Sequence, residues 1–308
     1  MRILITGASG FLGSWVLRRL LDGGGHDIAI ILRPTSPAWR IRGLLDRVTV
    51  IEADLTQPDS AAGPLATFAP ETVLHLAWLG VGNRYRNDSD QVTNIGATAS
   101  LLEMAARGGA RTWIGLGSQA EYGPHNGPLD ENAAPRPTSV YGAAKLCASL
   151  LAADYCRRYA MRFAWLRLFS CYGPQDDPSW LLPTLIRTLL AGQRPALTLG
   201  EQLWDYIYVT DAAEAICRVA LAPDAAGVFN LGSGQPRTIR SIAEMVRDAI
   251  DPALPLGFGE LPYRNDQVMH LEADIRRLRR ATGWEPRVSL PEGVRRTIEW
   301  YRENQTPA

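Results

Sequence analysis

Two residues four positions apart, Tyr141 and Lys145, carry side chains that together could move a proton. In a helix this spacing places both side chains on one face. A free tyrosine has a pKa of about 10, which is too high for proton transfer at neutral pH. A neighbouring ammonium would stabilise the phenolate and lower that pKa. Tyr141 could then pass a proton to or from an alcohol oxygen.

A third candidate, Ser118, follows the predicted strand Thr112–Gly117. Ligands of open α/β sheets bind at the carboxyl ends of the strands, so a hydroxyl there can hydrogen-bond and orient a reacting carbonyl group. A tyrosine and a lysine at this spacing also occur on ordinary helix surfaces. The pair gains meaning from Ser118, which the predicted sheet would bring to the same edge.

Three glycines, Gly7, Gly10 and Gly13, lie between the apolar strand Arg2–Thr6 and the helical stretch Phe11–Leu21. A strand that turns through glycines into a helix brings bare backbone close to a ligand and directs free N–H groups at an anion. This context predicts a pyrophosphate site for a dinucleotide, although a glycine turn without a ligand has the same pattern. The spacing is G-x-x-G-x-x-G rather than the commoner G-x-G-x-x-G.

Strand and helix patterns alternate through the first half, which predicts an α/β fold with a doubly wound parallel sheet of the Rossmann type. Prolines punctuate the chain beyond Gly173 and indicate a second, smaller α/β substrate lobe. We expect the dinucleotide-binding domain at 1–169 plus about 206–234, and the substrate lobe at 170–205 and 235–308. The remaining predicted strands are Asp27–Leu32, Val48–Glu52, Thr72–Ala77, Arg162–Leu168 and Val228–Leu231, and the long helices are Ser89–Arg107 and Ser139–Tyr159.

The residue after the second strand bears on the choice of cofactor. An NAD site usually has an acidic residue there for the ribose 2′-hydroxyl, whereas an arginine accommodates a 2′-phosphate. Here the position is Arg33, with Ser36 nearby, so the sequence favours NADP(H) and leaves NAD(H) possible. A surface arginine at a strand end is the alternative interpretation. Asp54 and Leu55, after the third strand, are placed to meet the adenine.

Composition narrows the class of protein. The chain has 308 residues, 46% of them hydrophobic and 21% charged, with a formal net charge of +0, as in an ordinary globular protein. This balance offers no electrostatic surface for nucleic acid or an anionic membrane. The four cysteines form no C-x-x-C pair, and the sequence shows no signal peptide, membrane span or metal motif. We therefore expect a cytoplasmic protein with free thiols and no metal.

With these motifs in place, the chain resembles an extended short-chain dehydrogenase/reductase of the NAD-dependent epimerase/dehydratase kind, which acts on nucleotide sugars. The resemblance covers nearly the whole length. The motifs that carry it are Thr6–Gly13, Asp54–Leu55, His75–Ala77, Asn94 with Gly96–Thr98, Gly117–Gly123, Tyr141–Lys145, Arg167–Pro174, Asp205–Asp211, Asn230–Gly234 and Gly283–Pro286.

The resemblance implies that Ser118, Tyr141 and Lys145 form a catalytic triad beside a nicotinamide, which exchanges hydride with the sugar. Together with the predictions above, the implied cofactor contacts are Gly7, Ser9, Gly10, Phe11, Leu12, Gly13, Arg33, Ser36, Asp54, Leu55, Leu76, Ala77, Asn94, Tyr141, Lys145 and Phe169. The implied substrate contacts are Ser118, Gln119, Tyr141, Ser170, Trp180, Leu181, Trp204 and Arg264, the last toward the diphosphate.

Several positions depart from the family pattern. The 4,6-dehydratases of the family have an Asp-Glu pair after the catalytic hydroxyl residue, whereas this chain has Gln119 and Ala120, which cannot move a proton. The epimerase-reductases that resemble GDP-fucose synthase have a cysteine where Ala120 stands. Ser170 replaces a frequent asparagine and Trp204 a frequent arginine, which puts the substrate contacts there in doubt.

Two reactions remain, a 4-keto reduction and a 4-epimerisation. Arg33 favours NADPH-dependent reduction of a nucleotide-linked 4-keto-6-deoxyhexose with Tyr141 as proton donor, which we take as the first interpretation. An NAD-dependent nucleotide-sugar 4-epimerase is the alternative, and a non-catalytic NADP-binding sensor is a third. Relatives pair two such long helices in a four-helix interface, so the resemblance also implies a homodimer. The base, the sugar and the stereochemistry at C4 are left open.

Overall fold

The computed structural model describes residues 1–57, 59–264 and 267–304. Its strands are β1 Arg2–Thr6, β2 Asp27–Leu32, β3 Thr49–Glu52, β4 Thr72–His75, β5 Thr112–Ser118, β6 Arg162–Leu168, β7 Ser170–Tyr172, β8 Ala196–Leu197, β9 Leu203–Trp204, β10 Tyr206–Tyr208, β11 Gly227–Leu231, β12 Arg237–Thr238, β13 Gly257–Phe258 and β14 His270–Leu271. Its helices are α1 Phe11–Gly23, α2 Asp59–Phe68, α3 Thr93–Arg107, α4 Val140–Arg158, α5 Leu181–Leu190, α6 Val209–Leu221, α7 Ile239–Ile250, α8 Arg276–Thr282 and α9 Leu290–Glu303.

Seven strands pair in the order β11-β6-β5-β4-β1-β2-β3, and every pair is parallel. The chain order reverses between β1 and β4, where consecutive connections leave toward opposite edges of the sheet. In open α/β sheets this reversal opens a crevice at the carboxyl ends of the strands, where ligands bind. The prediction of a doubly wound parallel sheet is confirmed, and β11, which contains the predicted strand Val228–Leu231, forms one edge of it.

Helices cover both faces of the sheet, so the central strands β1 and β4 are buried on both sides and their sequences are mostly apolar rather than alternating. In β1, the side chains of Ile3 and Ile5 pack on the face that also contains Val16 of α1 and Ile216 of α6. Leu4 points to the opposite face. That second face is filled by residues of α3 and α4, among them Leu101, Leu102, Ala152 and Cys156. Each fully buried aliphatic side chain contributes about 1.5–3 kcal/mol.

A separate apolar cluster lies in the part of the chain beyond β6. Helices α5, α7 and α9 meet there through Leu185, Ile242 and Ile298, with Tyr172 and Tyr208 from the two-stranded β7–β10 sheet. This cluster gives the second half its own packed interior beside the main sheet.

The observed ends of several elements differ from the predicted ones by one to a few residues. Strand β4 ends at His75 rather than Ala77, because the N–H of Ala77 donates to the Thr6 hydroxyl at 3.2 Å instead of continuing the ladder. Helix α3 begins at Thr93, since residues 89–92 form a 3₁₀ turn. Helix α4 begins at Val140, and Ser139 caps it by accepting from the N–H of Gly142 at 3.1 Å. Among the described helices, none has the length and apolar character that crossing a bilayer requires.

Candidate active site

The glycine turn after β1 is tight enough to exclude larger side chains. Gly7 has φ of 74°, and a Cβ built on it would lie 2.7 Å from the backbone N of Ala77. A Cβ on Gly13 would lie 2.0 Å from the carbonyl oxygen of Gly7, because the first turn of α1 rests directly on the loop. The turn is closed by the N–H of Gly10, which donates to the Gly7 carbonyl at 3.0 Å. Glycine is therefore needed at 7 and 13 for steric reasons.

The N-terminus of α1 fits a pyrophosphate. Gly10 is the N-cap residue and has no side chain, and the first turn, from Phe11, contains no acidic residue. The first N–H groups of the helix therefore face the carboxyl edge of the sheet without a carboxylate that would repel an anion. Gly7 presents bare backbone beside Ala77. This backbone and the N-terminus of α1 together fit the dinucleotide that the sequence predicts.

A buried histidine joins the elements beneath that turn. His75 Nδ1 lies 2.9 Å from the Thr6 hydroxyl, and its Nε2 lies 3.0 Å from the Thr98 hydroxyl of α3. Burial lowers the pKa of His75 to about 3, and the positive charge of Lys145 acts in the same direction. The ring is therefore neutral at physiological pH and serves to hold β1, β4 and α3 together at the crevice.

Asn94 anchors the chain that leaves β4. Its side-chain carbonyl accepts from the N–H of Leu79 at 2.7 Å, and its amide donates to the carbonyl of Leu79 at 3.1 Å. These two hydrogen bonds fix the segment that contains the predicted cofactor contacts Leu76 and Ala77. Asn94 therefore contributes to the site by holding the backbone that follows β4 in place.

Ser118 is held at the end of β5 by a buried carboxylate. Its hydroxyl accepts from the N–H of Ala120 at 3.2 Å, while Glu121 Oε1 accepts from the Ser118 N–H at 2.8 Å. The Glu121 carboxylate also accepts from Trp165 Nε1 at 3.0 Å and forms an ion pair with Arg167 at 2.8 Å. Each of its oxygens has a partner, as a buried charge requires.

Tyr141 lies in the first turn of α4, and only 7% of it is exposed. Burial raises its pKa above the ordinary value, and the charge of Glu121 acts in the same direction. A hydrogen bond with the side chain of Ser118 and the positive charge of Arg86 lower the pKa. The structure thus brings Ser118 and Tyr141 together, and the phenol is protonated at neutral pH.

Lys145 lies one turn further along α4 and is also buried. Its ammonium donates to the carbonyl of Leu116 at 2.6 Å and lies 3.8 Å from the centroid of the Trp78 ring. Burial lowers the pKa of Lys145 to about 7, against the charge of Glu121, which raises it. The sequence predicts that Lys145 lowers the pKa of Tyr141, but in the structure burial is the largest effect on the phenol and raises that pKa.

Two residues outside the predicted cofactor and substrate contacts also contact this pair. The Trp78 ring packs edge-on against Tyr141 with centroids 6.1 Å apart, and the Arg86 guanidinium lies 5.3 Å from the Tyr141 ring centroid. The carbonyl of Arg86 also accepts from the N–H of Tyr141 at 2.8 Å. Trp78 has a sequence signal, because it directly follows the His75–Ala77 motif. Arg86 has none.

At the predicted adenosine edge, Arg33 follows β2, next to the glycine turn of β1. The N–H of Ser36 donates to the carbonyl of Arg33 at 2.9 Å, so Arg33 and Ser36 belong to one turn. The Asp54 carboxylate accepts from the N–H and the hydroxyl of Thr56 at 2.9 and 2.8 Å, which closes its own loop. Leu55 packs against the core beside it.

Apart from Gln119, the other predicted contacts lie beyond β6. Phe169 is buried in a small apolar cluster that Trp204 also packs against, and Trp204 donates to the carbonyl of Val268 at 3.3 Å. Ser170 begins β7, while Trp180 is the N-cap of α5 and precedes Leu181. Arg264 lies in the loop before β14, and Gln119 follows Ser118 in the 3₁₀ turn. Their roles as cofactor or substrate contacts stay predictions.

Comparisons with known proteins agree with this geometry. A profile of the NAD dependent epimerase/dehydratase family matches residues 3–232. The chain is 28% identical to a UDP-glucose 4-epimerase of Mycolicibacterium smegmatis over 98% of this chain and 99% of that protein. It is 28% identical to a dTDP-glucose 4,6-dehydratase of Streptomyces niveus, over 99% and 94%. The solved UDP-glucose 4-epimerase of Thermus thermophilus, in complex with NAD, superposes with a TM-score of 0.88 at 26% identity, over 99% and 100%. The chain belongs to the NAD dependent epimerase/dehydratase family, whose members among these relatives act on nucleotide sugars.

Proposed function

We propose that this protein is an NAD-dependent 4-epimerase of a nucleotide sugar, which reverses the order of preference given by the sequence. The observation that carries the proposal is the hydrogen-bonded pair of Ser118 and Tyr141, beside Lys145 and next to the glycine turn. The similarity to UDP-glucose 4-epimerases over essentially the whole chain supports it. The NAD in the Thermus thermophilus structure supports NAD over the NADP that Arg33 suggests.

Each residue has a defined task in this reaction. In its phenolate form, which the positive charge of Arg86 favours and that of a bound oxidised nicotinamide would favour further, the Tyr141 oxygen accepts the proton of the sugar C4 hydroxyl. It returns that proton to the carbonyl oxygen after the sugar has turned its other face. The Ser118 hydroxyl donates a hydrogen bond to that same oxygen, which holds it near Tyr141. Lys145, with a pKa of about 7, supplies a positive charge toward the cofactor ribose. When bound, the nicotinamide supplies reversible hydride transfer at C4.

Dehydration is a poor fit even though a 4,6-dehydratase is among the relatives. The positions that hold the acid and base in dehydratases are Gln119 and Ala120 here, and neither side chain can transfer a proton. The nearest carboxylate, Glu121, is fully buried and bonded to Ser118, Trp165 and Arg167. It is therefore held as a structural anion and does not face a substrate.

A 4-keto reductase that uses NADPH is the second candidate, because Arg33 stands where an NAD site usually has an acid. A reductase exchanges its cofactor after each hydride transfer, whereas an epimerase regenerates it and can retain it. The two candidates therefore differ in cofactor retention as well as in product.

We also propose how the chain is divided and assembled. The segments 170–205 and 235–308, with the apolar cluster of α5, α7 and α9, would form the lobe that binds the nucleotide sugar. Helices α3 and α4 would pair with those of a second copy. On α4, Leu150 is 64% exposed and Leu151 is 37% exposed, which leaves apolar surface for such an interface.

The test is to denature the purified protein and identify any dinucleotide that it releases. The epimerase proposal predicts NAD in near-stoichiometric amount and no consumption of added NADPH with a 4-keto-6-deoxy nucleotide sugar. Steady NADPH oxidation with that sugar would establish the reductase instead. Dinucleotide binding without conversion of any nucleotide sugar would identify a sensor and refute both.

A further inference from the structure

We propose that Arg86, in the loop between β4 and α3, is a positioning residue that holds Tyr141 and stabilises its anionic form. The inference rests on the proposed proton-transfer role of Tyr141 and adds a second cation to the site. Arg86 is not a member of the triad of Ser118, Tyr141 and Lys145.

The contact between the two residues is double. The Arg86 guanidinium lies 5.3 Å from the centre of the Tyr141 ring, within the range of a cation–π interaction. The N–H of Tyr141 donates to the carbonyl of Arg86 at 2.8 Å, which fixes the loop on the first turn of α4. A positive charge at this distance favours a phenolate over a neutral phenol.

Hydrogen bonds from neighbouring side chains hold the loop around Arg86 in place. The side chain of the next residue, Asn87, accepts from the N–H of Val140 at 3.2 Å, at the start of α4. Buried Gln91 donates to the carbonyls of Gly80 and Tyr85 at 2.7 and 3.0 Å. These bonds hold the segment before α3 against helix α4, so the backbone from which the Arg86 side chain extends is fixed on both sides.

The other charged groups near the phenol do not perform this task. Lys145 directs its ammonium to the carbonyl of Leu116 and to the ring of Trp78. Glu121 opposes ionisation of Tyr141, because its negative charge raises the pKa of the phenol. Within the described residues, Arg86 is the charged group that acts to lower the pKa of Tyr141, together with the uncharged hydrogen bond from Ser118.

The test measures ionisation of Tyr141 directly. The protein is labelled with tyrosine that carries ¹³C at the ring carbon bearing the hydroxyl, and the Tyr141 resonance is assigned by its loss in Tyr141→Phe. NMR spectra are then recorded with rising pH over the range in which circular dichroism shows a folded protein. The variants are Arg86→Met, which removes the charge, and Arg86→Lys, which keeps it.

The chain offers a matched control two residues earlier. Arg84 also lies over a tyrosine ring, 4.5 Å from the centroid of Tyr85, but it is exposed. We expect Arg86→Met to raise the pKa of Tyr141 by at least about 0.5 units. Arg86→Lys should restore most of the wild-type value, and Arg84→Met should leave it unchanged.

Three results would overturn the inference. They are an unchanged pKa in Arg86→Met, an equal rise in Arg86→Met and Arg86→Lys, and a wild-type Tyr141 that stays neutral throughout the folded range. Because the NMR titration needs no substrate, these results are separate from a failure of the proposed function. If the protein is an epimerase, the acidic limb of its kcat profile should shift in the same direction and order.

Discussion

The glycine turn and the catalytic helix lie at the same edge of the sheet, but they are constructed by different forces. At the turn, backbone atoms define the site, since a single added Cβ on Gly13 would lie 2.0 Å from the Gly7 carbonyl. At the start of helix α4, buried polar side chains define the candidate site. Tyr141 and Lys145 both have pKa values displaced by burial, and charges from Glu121 and Arg86 act on them.

The glycine turn depends on steric fit, whereas the site at the start of α4 depends on the protonation of its side chains. A turn of this kind is specified by a few consecutive residues and fails when one atom is added. The proposed proton-transfer site depends on groups that are distant in sequence, and we expect it to fail when one charge or one oxygen is removed. Mutations in the two regions should therefore leave different signatures, one in folding and cofactor retention and the other in turnover.

The largest effect is expected from Tyr141→Phe, which removes one oxygen and leaves the ring packed against Trp78. Turnover should fall by roughly 10²–10⁴-fold, because the proton has no other acceptor at that position. Retained dinucleotide and thermal stability should change little. Tyr159→Phe, at the end of the same helix and 40% exposed, is the control and should keep its activity. Equal loss of activity and of bound dinucleotide in Tyr141→Phe would remove the distinction between the two regions.

Gly13→Ala tests the turn. The added methyl meets backbone, which cannot rotate away, so we expect a loss of about 2–4 kcal/mol in the free energy of unfolding and loss of retained dinucleotide. Gly96→Ala, in helix α3, adds the same methyl where nothing lies within 4 Å. That variant should be neutral or up to about 1 kcal/mol more stable. Denaturant unfolding of the two variants measures the difference in stability. Similar stability for Gly13→Ala and Gly96→Ala would contradict the steric explanation.

His75 connects the two regions, and its protonation should appear as a pH dependence of stability. Burial lowers its pKa in the folded protein to about 3 from the ordinary 6.5, so below pH 6.5 the unfolded chain binds a proton that the folded chain does not. Stability should fall by roughly 1.4 kcal/mol per pH unit from this group as the pH falls from 6.5 toward 3. His75→Gln should flatten that slope, whereas His125→Gln, in the loop after β5, should not. Equal slopes in all three proteins would refute the assignment.

The smallest effect is expected from Arg33→Asp. A carboxylate at the end of β2 would repel a 2′-phosphate and accept from a ribose hydroxyl, so binding should shift toward NAD over NADP by about tenfold. Arg42→Asp, at an exposed position of the following 3₁₀ turn, is the matched control. Titration of both dinucleotides gives the ratio directly. An unchanged ratio in Arg33→Asp would show that Arg33 does not contact the ribose.

The sequence predicted the fold and the glycine turn well, because both depend on local patterns. Apolar runs such as Ile3–Ile5 and the spacing of Gly7, Gly10 and Gly13 are consecutive in the chain. It also predicted the position of Ser118, since the carboxyl ends of parallel strands share one edge.

The charges around Tyr141 could not be predicted in this way. Arg86 reaches the phenol only because the loop after β4 folds over the start of α4. The raised pKa of Tyr141 reflects burial, which depends on the whole packed site and not on the spacing to Lys145. The preference for reduction over epimerisation relied mainly on Arg33, and one residue at the end of a strand does not determine a reaction.

The most direct test of the proposed function is incubation of the purified protein with UDP-galactose and no added cofactor, followed by ¹H NMR of the anomeric region. UDP-glucose and UDP-glucuronate, with their C4 epimers, are tested in parallel because the sugar is not fixed by the site. The account predicts that at least one pair reaches the same equilibrium ratio from either side, while the dinucleotide stays bound. If no C4 epimer forms from any of these sugars although the protein retains NAD, the epimerase proposal is contradicted.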